Sequence, residues 1–310
     1  MADEVQFNHP WLVAVWPGMG HVALNAGYYL LAKLDMHGIA EFEGSNLFDI
    51  EHVLVEAGRI QPVEQPRNRF FLWTDPDKKR DLVIFLGEAQ PPVGKYSFCR
   101  QLIEYAKELK IERVFTFAAM ATQMHPAHRS RVFGAATDDA GVKELKRLEL
   151  ELLQDGHIGG LNGVLLGAAA EGGLPGTCLL GEMPHIFSQL PFPKASQAIL
   201  EVFATITNTQ IDFTELADQV AAMDQQLGDL LAQVEEKFGP QFASEEDEGY
   251  RAEAVQEEGL SAADEKRIEE LFEKSKQDRS KTFELKQELD RLNVFKDYED
   301  RFLDLFKKAE

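Results

Sequence analysis

The run Trp11-Leu12-Val13-Ala14-Val15-Trp16, cut off by Pro17-Gly18-Met19-Gly20, constrains this chain more than any other stretch. Successive strand residues point to opposite sides, so six apolar residues in a row leave neither face fit for water. Such a strand belongs inside a sheet covered on both faces, and the turn residues behind it stop it abruptly. Residues 21–33 then place Val22, Ala26, Tyr29, Leu30 and Lys33 near helical spacing. Strand, glycine turn and helix together open a βαβ unit.

The pattern returns along the chain. Further strands are expected at residues 70–73, 81–86, 113–117, 131–135 and 177–180. Helices are expected at 96–109, 142–153, 159–170, 196–205 and 213–238. Apolar strands alternating with helices give an α/β fold, a mostly parallel sheet with helices on both faces, over residues 1–238. Composition shifts at Gly239-Pro240. Residues 241–258 hold seven acids against Arg251, which reads as an acidic linker over 239–260. Residues 261–310 read as a charged amphipathic helical tail. Ser261 and Asp264 have the spacing of a helix cap, ahead of one long helix over 261–292. Phe295, Tyr298, Phe302 and Phe306 mark a last amphipathic segment.

With 53 acidic against 32 basic residues, the chain carries a formal charge of −21. A nucleic-acid partner or an anionic membrane surface demands the opposite sign, so neither is expected. Cys99 and Cys178 lie far apart in apolar segments, and no disulfide framework or zinc site follows from them. Residues 1–10 hold Asp3 and Glu4 and no apolar run, unlike a signal peptide. No stretch reaches the roughly 18 apolar residues of a membrane span. The expected location is the cytoplasm, and no metal or cofactor is expected.

Loops that follow parallel strands gather at one edge of the sheet, where ligands bind. Four unusual loops are placed there, around residues 17–21, 87–92, 119–129 and 181–185, and the glycine-rich 156–163 turn joins them. The candidate ligand pocket therefore comprises Gly18, Gly20, His21, Glu88, His125, His128, Arg129, Gly160, Asn162, Glu182 and His185. Amides at glycine turns ahead of helices can hold an anion, and histidine suits proton transfer. The same glycines also serve tight turns and close helix–sheet packing. Motifs that fix a reaction are missing. The first glycine turn lacks the third glycine of a dinucleotide fingerprint, and no phosphate-loop lysine or nucleophile elbow occurs. His125 and His128 lie three apart, but no third metal ligand is evident.

The order of these loops resembles the PAC2 family, named for a proteasome assembly chaperone. The matching stretches begin with Trp16-Pro17-Gly18-Met19-Gly20 followed by Ala23, then Phe48-Asp49, and Asp81-Leu82-Val83 leading to Gly87-Glu88. His125 with His128-Arg129, Gly159-Gly160-Leu161-Asn162-Gly163, Gly172-Gly173-Leu174-Pro175 and Met183-Pro184-His185 complete the series. The resemblance covers about residues 8–238. It implies a phosphorylase/hydrolase-like α/β fold, self-association, and a chaperone's partnership with proteasome-like subunits. Two departures accompany it. The chain ends Lys308-Ala309-Glu310, not in the hydrophobic-tyrosine ending that docks into proteasome ring pockets, and Gly18-Met19 stand where the family often carries an aspartate. The expected function is thus a non-enzymatic, self-associating interaction protein. The alternative is a binding protein or enzyme for a phosphate- or nucleotide-type anion, with His125, His128 and Glu88 as acid/base groups and Arg129 as anion clamp.

Overall fold

The computed structural model describes residues 7–43, 47–48, 53, 55–56, 58–63, 65–238, 260–292 and 294–307. The acidic linker at 239–259, Asp49 of the family pattern and the terminal Lys308-Ala309-Glu310 lie outside the described residues. Strand β1 (Trp11–Val15) leads through a tight turn into α1 (Val22–Lys33) and β2 (His37–Glu41). A small hairpin, β3 (Val55–Glu56) and β4 (Arg59–Ile60), precedes β5 (Asn68–Trp73), β6 (Leu82–Gly87) and α2 (Lys95–Glu108). Then come β7 (Arg113–Thr122), β8 (Val132–Ala136), α3 (Asp139–Arg147), β9 (Glu151–Leu152), α4 (Gly160–Glu171) and β10 (Gly176–Pro184). Helices α5 (Pro193–Thr207) and α6 (Thr214–Phe238) follow, and α7 (Ala262–Gln277), α8 (Thr282–Arg291) and α9 (Phe295–Asp304) form the tail.

Among the described residues, eight strands make one sheet in the order β2-β5-β6-β1-β7-β10-β8-β9. Its centre, β6-β1-β7-β10, is parallel throughout. The flanking pairs β2–β5, β5–β6 and β8–β10 are antiparallel. Alternation along β1 explains the two layers. Leu12, Ala14 and Trp16 join the core beneath α2 and α4, whereas Trp11, Val13 and Val15 join the core beneath α1 and α5. In α2, Phe98, Cys99, Leu102, Ile103 and Ala106 fall on one buried stripe, which seats that helix on the sheet.

The tail belongs to the second of these cores. Phe272, Phe283, Leu285, Leu289, Phe302 and Phe306 are buried with α1 and β5. Their rings meet core rings edge-on: Phe283 against Tyr29 at 4.6 Å, Phe302 against Tyr28 at 5.9 Å, and Phe306 against Phe71 at 6.2 Å. Among the described residues, no helix is long and apolar enough to cross a membrane.

Several boundaries differ from those expected. The helix expected at 142–153 runs over Asp139–Arg147, because Asp138 accepts from Gly141 N and starts it early. It stops where Glu149 takes a left-handed conformation (φ 57°), and the chain continues as β9. The single helix expected over 261–292 is two, divided at Asp278, whose carboxylate accepts from Ser280 N and caps the next turn. β7 and β10 run longer than 113–117 and 177–180. They pair from Val114–Gly176 to Thr122–Pro184, a stretch whose small residues, Ala118, Ala119, Ala121 and Gly181, carry little strand propensity.

Gly87 ends β6 beside Trp16. A Cβ there would stand 2.4 Å from the indole Cδ1 and Nε1, and the ring is fully buried. Gly87→Ala is expected to cost about 1–3 kcal/mol in urea unfolding, the usual penalty of overpacking. An unchanged midpoint would show that the ring can move.

Candidate functional site

Because β6, β1, β7 and β10 are parallel, their carboxyl ends lie at one edge, and the loops that follow them do gather there. Backbone hydrogen bonds tie the first loop to the last. Gly20 N donates to Ser188 O at 3.1 Å, and Phe192 N donates to Gly20 O at 2.9 Å. Gln90, in the loop after β6, ties the others. Its Nε2 donates to Pro17 O (2.8 Å) and its Oε1 accepts from Leu161 N (3.0 Å) at the start of α4. Gly160 is needed at that start. Its φ is +66°, and a Cβ would stand 2.7 Å from Gln90 Oε1. The amide that an anion would use at this helix start is occupied by the Gln90 carboxamide.

The eleven candidate residues separate into three groups at this edge. Gly18, Gly20, His21 and His185 lie on the joined first and last loops, with Gly160 and Asn162 behind them at the start of α4. His21 is the left-handed N-cap of α1. Part of its ring reaches solvent. Desolvation of the rest and, secondarily, the Lys286 ammonium hold its pKa below the ordinary 6.5. Asn162 accepts from Thr116 Oγ1 through its backbone carbonyl (3.1 Å), and its side-chain Oδ1 is buried without a hydrogen-bond partner.

Glu88 faces the other way, toward the tail. Its Oε2 accepts from Arg67 N (2.8 Å) and its Oε1 pairs with Arg69 at 3.0 Å. Burial raises its pKa, the Arg67 amide opposes that, and the Glu299 charge adds to the rise. Burial likewise lowers the pKa of Arg69. Asp300 of α9 pairs with both Arg67 (3.0 Å) and Arg69, and Tyr28 OH donates to Glu299. The tail therefore meets the sheet edge through an acid–arginine cluster.

The third group follows β7. His125 and His128 are exposed, with ring centres 5.6 Å apart, and His125 Nδ1 accepts from Ala127 N at 3.2 Å. Arg129 pairs with Glu201 of α5 at 2.8 Å and borders a cleft of about 300 Å³ shared with Ser130, Arg131, Glu149 and Glu151. Glu182, buried in β10, accepts two hydrogen bonds from Arg131 (2.8 and 2.7 Å) and one from Thr122 (2.7 Å). Among the described residues, no three metal-ligating side chains come together. Cys99 and Cys178 are buried, and burial pushes both thiols up to about 12, so neither is a ready nucleophile.

Sequence reasoning missed Gln90, Arg131, Arg67, Arg69 and Tyr28. Each acts through a partner distant in sequence, by 71 positions for Gln90 and Leu161 and 271 for Tyr28 and Glu299. Local spacing carries no signal for such pairs.

An α/β core whose loops are laced together at one sheet edge, with a helical layer added on one face, defines the class of protein. Residues 12–231 match the model of the PAC2 family, and the chain belongs to that family. It is 28% identical over 223 residues to an uncharacterised protein of Methanocaldococcus jannaschii, covering 69% of this chain and 80% of that one. Its fold is similar to Pyrococcus furiosus PbaB, an archaeal proteasome activator, with TM-score 0.63 and 25% identity over 75% of this chain and 96% of that chain. P. furiosus PbaA, an archaeal homologue of proteasome-assembly chaperone, gives TM-score 0.58 and 25% identity over 75% and 91%. A proteasome-assembly chaperone homologue from Mycobacterium tuberculosis shares the fold at TM-score 0.62 and 22% identity, over 72% and 96%.

Arg131 Nη and Nε hydrogen bonds, then the Thr122 hydroxyl, hold the Glu182 carboxyl below its ordinary 4.5, against the opposing effect of burial. A carboxyl with a depressed pKa stabilises the fold above its unfolded value, and that share is lost as pH falls through the folded value. Arg131→Gln is therefore expected to lower the urea midpoint at pH 6, with the gap to the unmodified protein narrowing below pH 4.5. A gap that stays constant with pH would remove Glu182 as the partner that matters.

Proposed function

We propose that this protein is an assembly-chaperone-like interaction protein, binding copies of itself and proteasome-like subunits without catalysing a reaction, and working in the cytoplasm. In this reading residues 1–238 are the PAC2-like core, 239–260 an acidic linker and 261–310 a tail that modifies the core's contacts. The observation that carries it is an exposed apolar rim at the carboxyl edge of the sheet. Met19, Ile186 and Leu190 are 44%, 54% and 38% exposed on two loops that their own hydrogen bonds fix together. Apolar side chains grouped on a hydrogen-bonded loop pair favour a protein-binding surface there, although Ile60 and Val93 are more exposed elsewhere. Likeness to PbaA and PbaB supports the choice of partner.

The anion-binding alternative has less behind it. Gln90 occupies the Leu161 amide at the start of α4, and Arg129 is paired with Glu201. The test is affinity capture from the native host with the full chain and with Ile186→Glu/Leu190→Glu. Recovery of proteasome subunits by the first and at least tenfold less by the second is expected. Recovery of the protein's own copies alone would overturn the proteasome partnership.

A further inference from the structure

Helix α9 is seated on the core as a separate partner would be. Phe302 and Phe306, both buried, meet the core rings of Tyr28 and Phe71, and Gly38 N donates to Phe306 O at 2.7 Å. Opposite charges outnumber like ones across the contact, where Glu88 of the core is the like charge beside Glu299. The helix contributes Glu299 and Asp300, and the core contributes Arg67, Arg69 and the Tyr28 hydroxyl. Aromatic anchors rimmed by opposite charges are how a groove recognises an amphipathic helix.

We propose that this face of α1 and β5 is a docking groove for an acidic helix with aromatic anchors, and that the partner it fits is the tail of a second copy of this chain, exchanged for the chain's own. The proposal rests on the interaction-protein reading and adds to it how copies join and how that joining is restrained. Groove and helix lie in different stretches of the chain. The family match ends at residue 231, and PbaB is covered over 96% of its length while a quarter of this chain stays unmatched. What joins them is residues 239–259. Twenty-one residues span at most about 70 Å when fully extended, enough for the tail to enter a neighbour's groove. Every contact made within one chain is available between two, so exchange forfeits only the local concentration that the tether provides, on the order of millimolar. Two tails exchanged reciprocally close a two-fold dimer. In a single chain the tail keeps its own groove filled, so copies join only where the tail is loosened or the protein is concentrated.

The test uses two full chains, one carrying Arg67→Glu and the other Asp300→Lys. Both side chains are partly exposed, 30% and 52%; Arg69, which is 6% exposed, keeps Glu88 as its partner when Asp300 is replaced, and Arg67 pairs with Glu41 as well as Asp300. Within each chain the latch now repels. In the exchanged pair, Asp300 of the first chain meets Arg67 of the second, and the introduced lysine meets the introduced glutamate. Light scattering of the mixture is expected to show a species of twice 34.9 kDa, at least tenfold more abundant than in either variant alone. A chain carrying both substitutions is expected to return to the unmodified protein's behaviour. A mixture that equals the average of its parts would overturn the proposal. So would a heterodimer that persists when Phe302→Asp is added to both chains, which would place the contact elsewhere. A second measurement covers a variant that folds poorly. A dye-labelled peptide of residues 294–307 is expected to bind the Asp300→Lys chain at least tenfold tighter than the doubly substituted chain, and equal binding would overturn the proposal. No proteasome subunit enters either assay, so its failure is distinct from failure of the partner reading.

Discussion

Strand β1 is buried on both faces, and every layer of the molecule answers that fact. Fully burying an aliphatic or aromatic side chain contributes roughly 1.5–3 kcal/mol, so water on either side of Trp11–Trp16 would cost a large share of a domain's usual margin. One face is covered by α2 and α4. The other begins with α1 and α5, and the tail extends it, placing Phe283, Phe302 and Phe306 on rings that α1 and β5 present. The two coverings differ in chemistry. The α2/α4 side is closed by apolar packing, whereas the tail side adds the cluster of Arg67, Arg69, Glu88, Glu299 and Asp300 at its border.

At the carboxyl edge of the sheet the polar groups brace one another. Gln90 cross-braces the loop after β1 and the start of α4, and Arg131 with Thr122 satisfies Glu182. These polar groups satisfy each other, whereas Asn162 Oδ1 stays buried without a partner. The apolar side chains Met19, Ile186 and Leu190 stand outside the bracing, exposed, on loops joined by backbone hydrogen bonds at Gly20. Rigid loops carrying exposed apolar groups favour macromolecular contact over small-molecule chemistry.

The central fold was legible because its signals are local. Unbroken apolar runs at 11–16 and 82–86 mark strands buried on both faces, and glycine turns mark where helices begin. What stayed hidden depends on distance or on weak residues. His37–Glu41 pairs with β5 as an edge strand although its Gly-Ile-Ala centre shows no strand pattern. The extra lengths of β7 and β10 are carried by their mutual pairing, not by their own propensity. The gathering of loops at one edge followed from strand direction, and the order of the loop motifs pointed to PAC2. The partition of the candidate residues did not follow, because strand-end positions alone do not say that Glu88 turns toward Arg69 and the tail while Glu182 turns to Arg131.

The central claim is that the tail is part of the layer covering the α1 face. Native-state hydrogen exchange of the full chain tests it most directly. Amides of α8 and α9, Leu289 and Phe302 among them, are predicted to be protected well above the rate of an unstructured peptide, and Gly38 N, bonded to Phe306 O, is predicted to share that protection. Exchange of the α8 and α9 amides at the unstructured rate, with β1 and β7 still protected, would contradict the account.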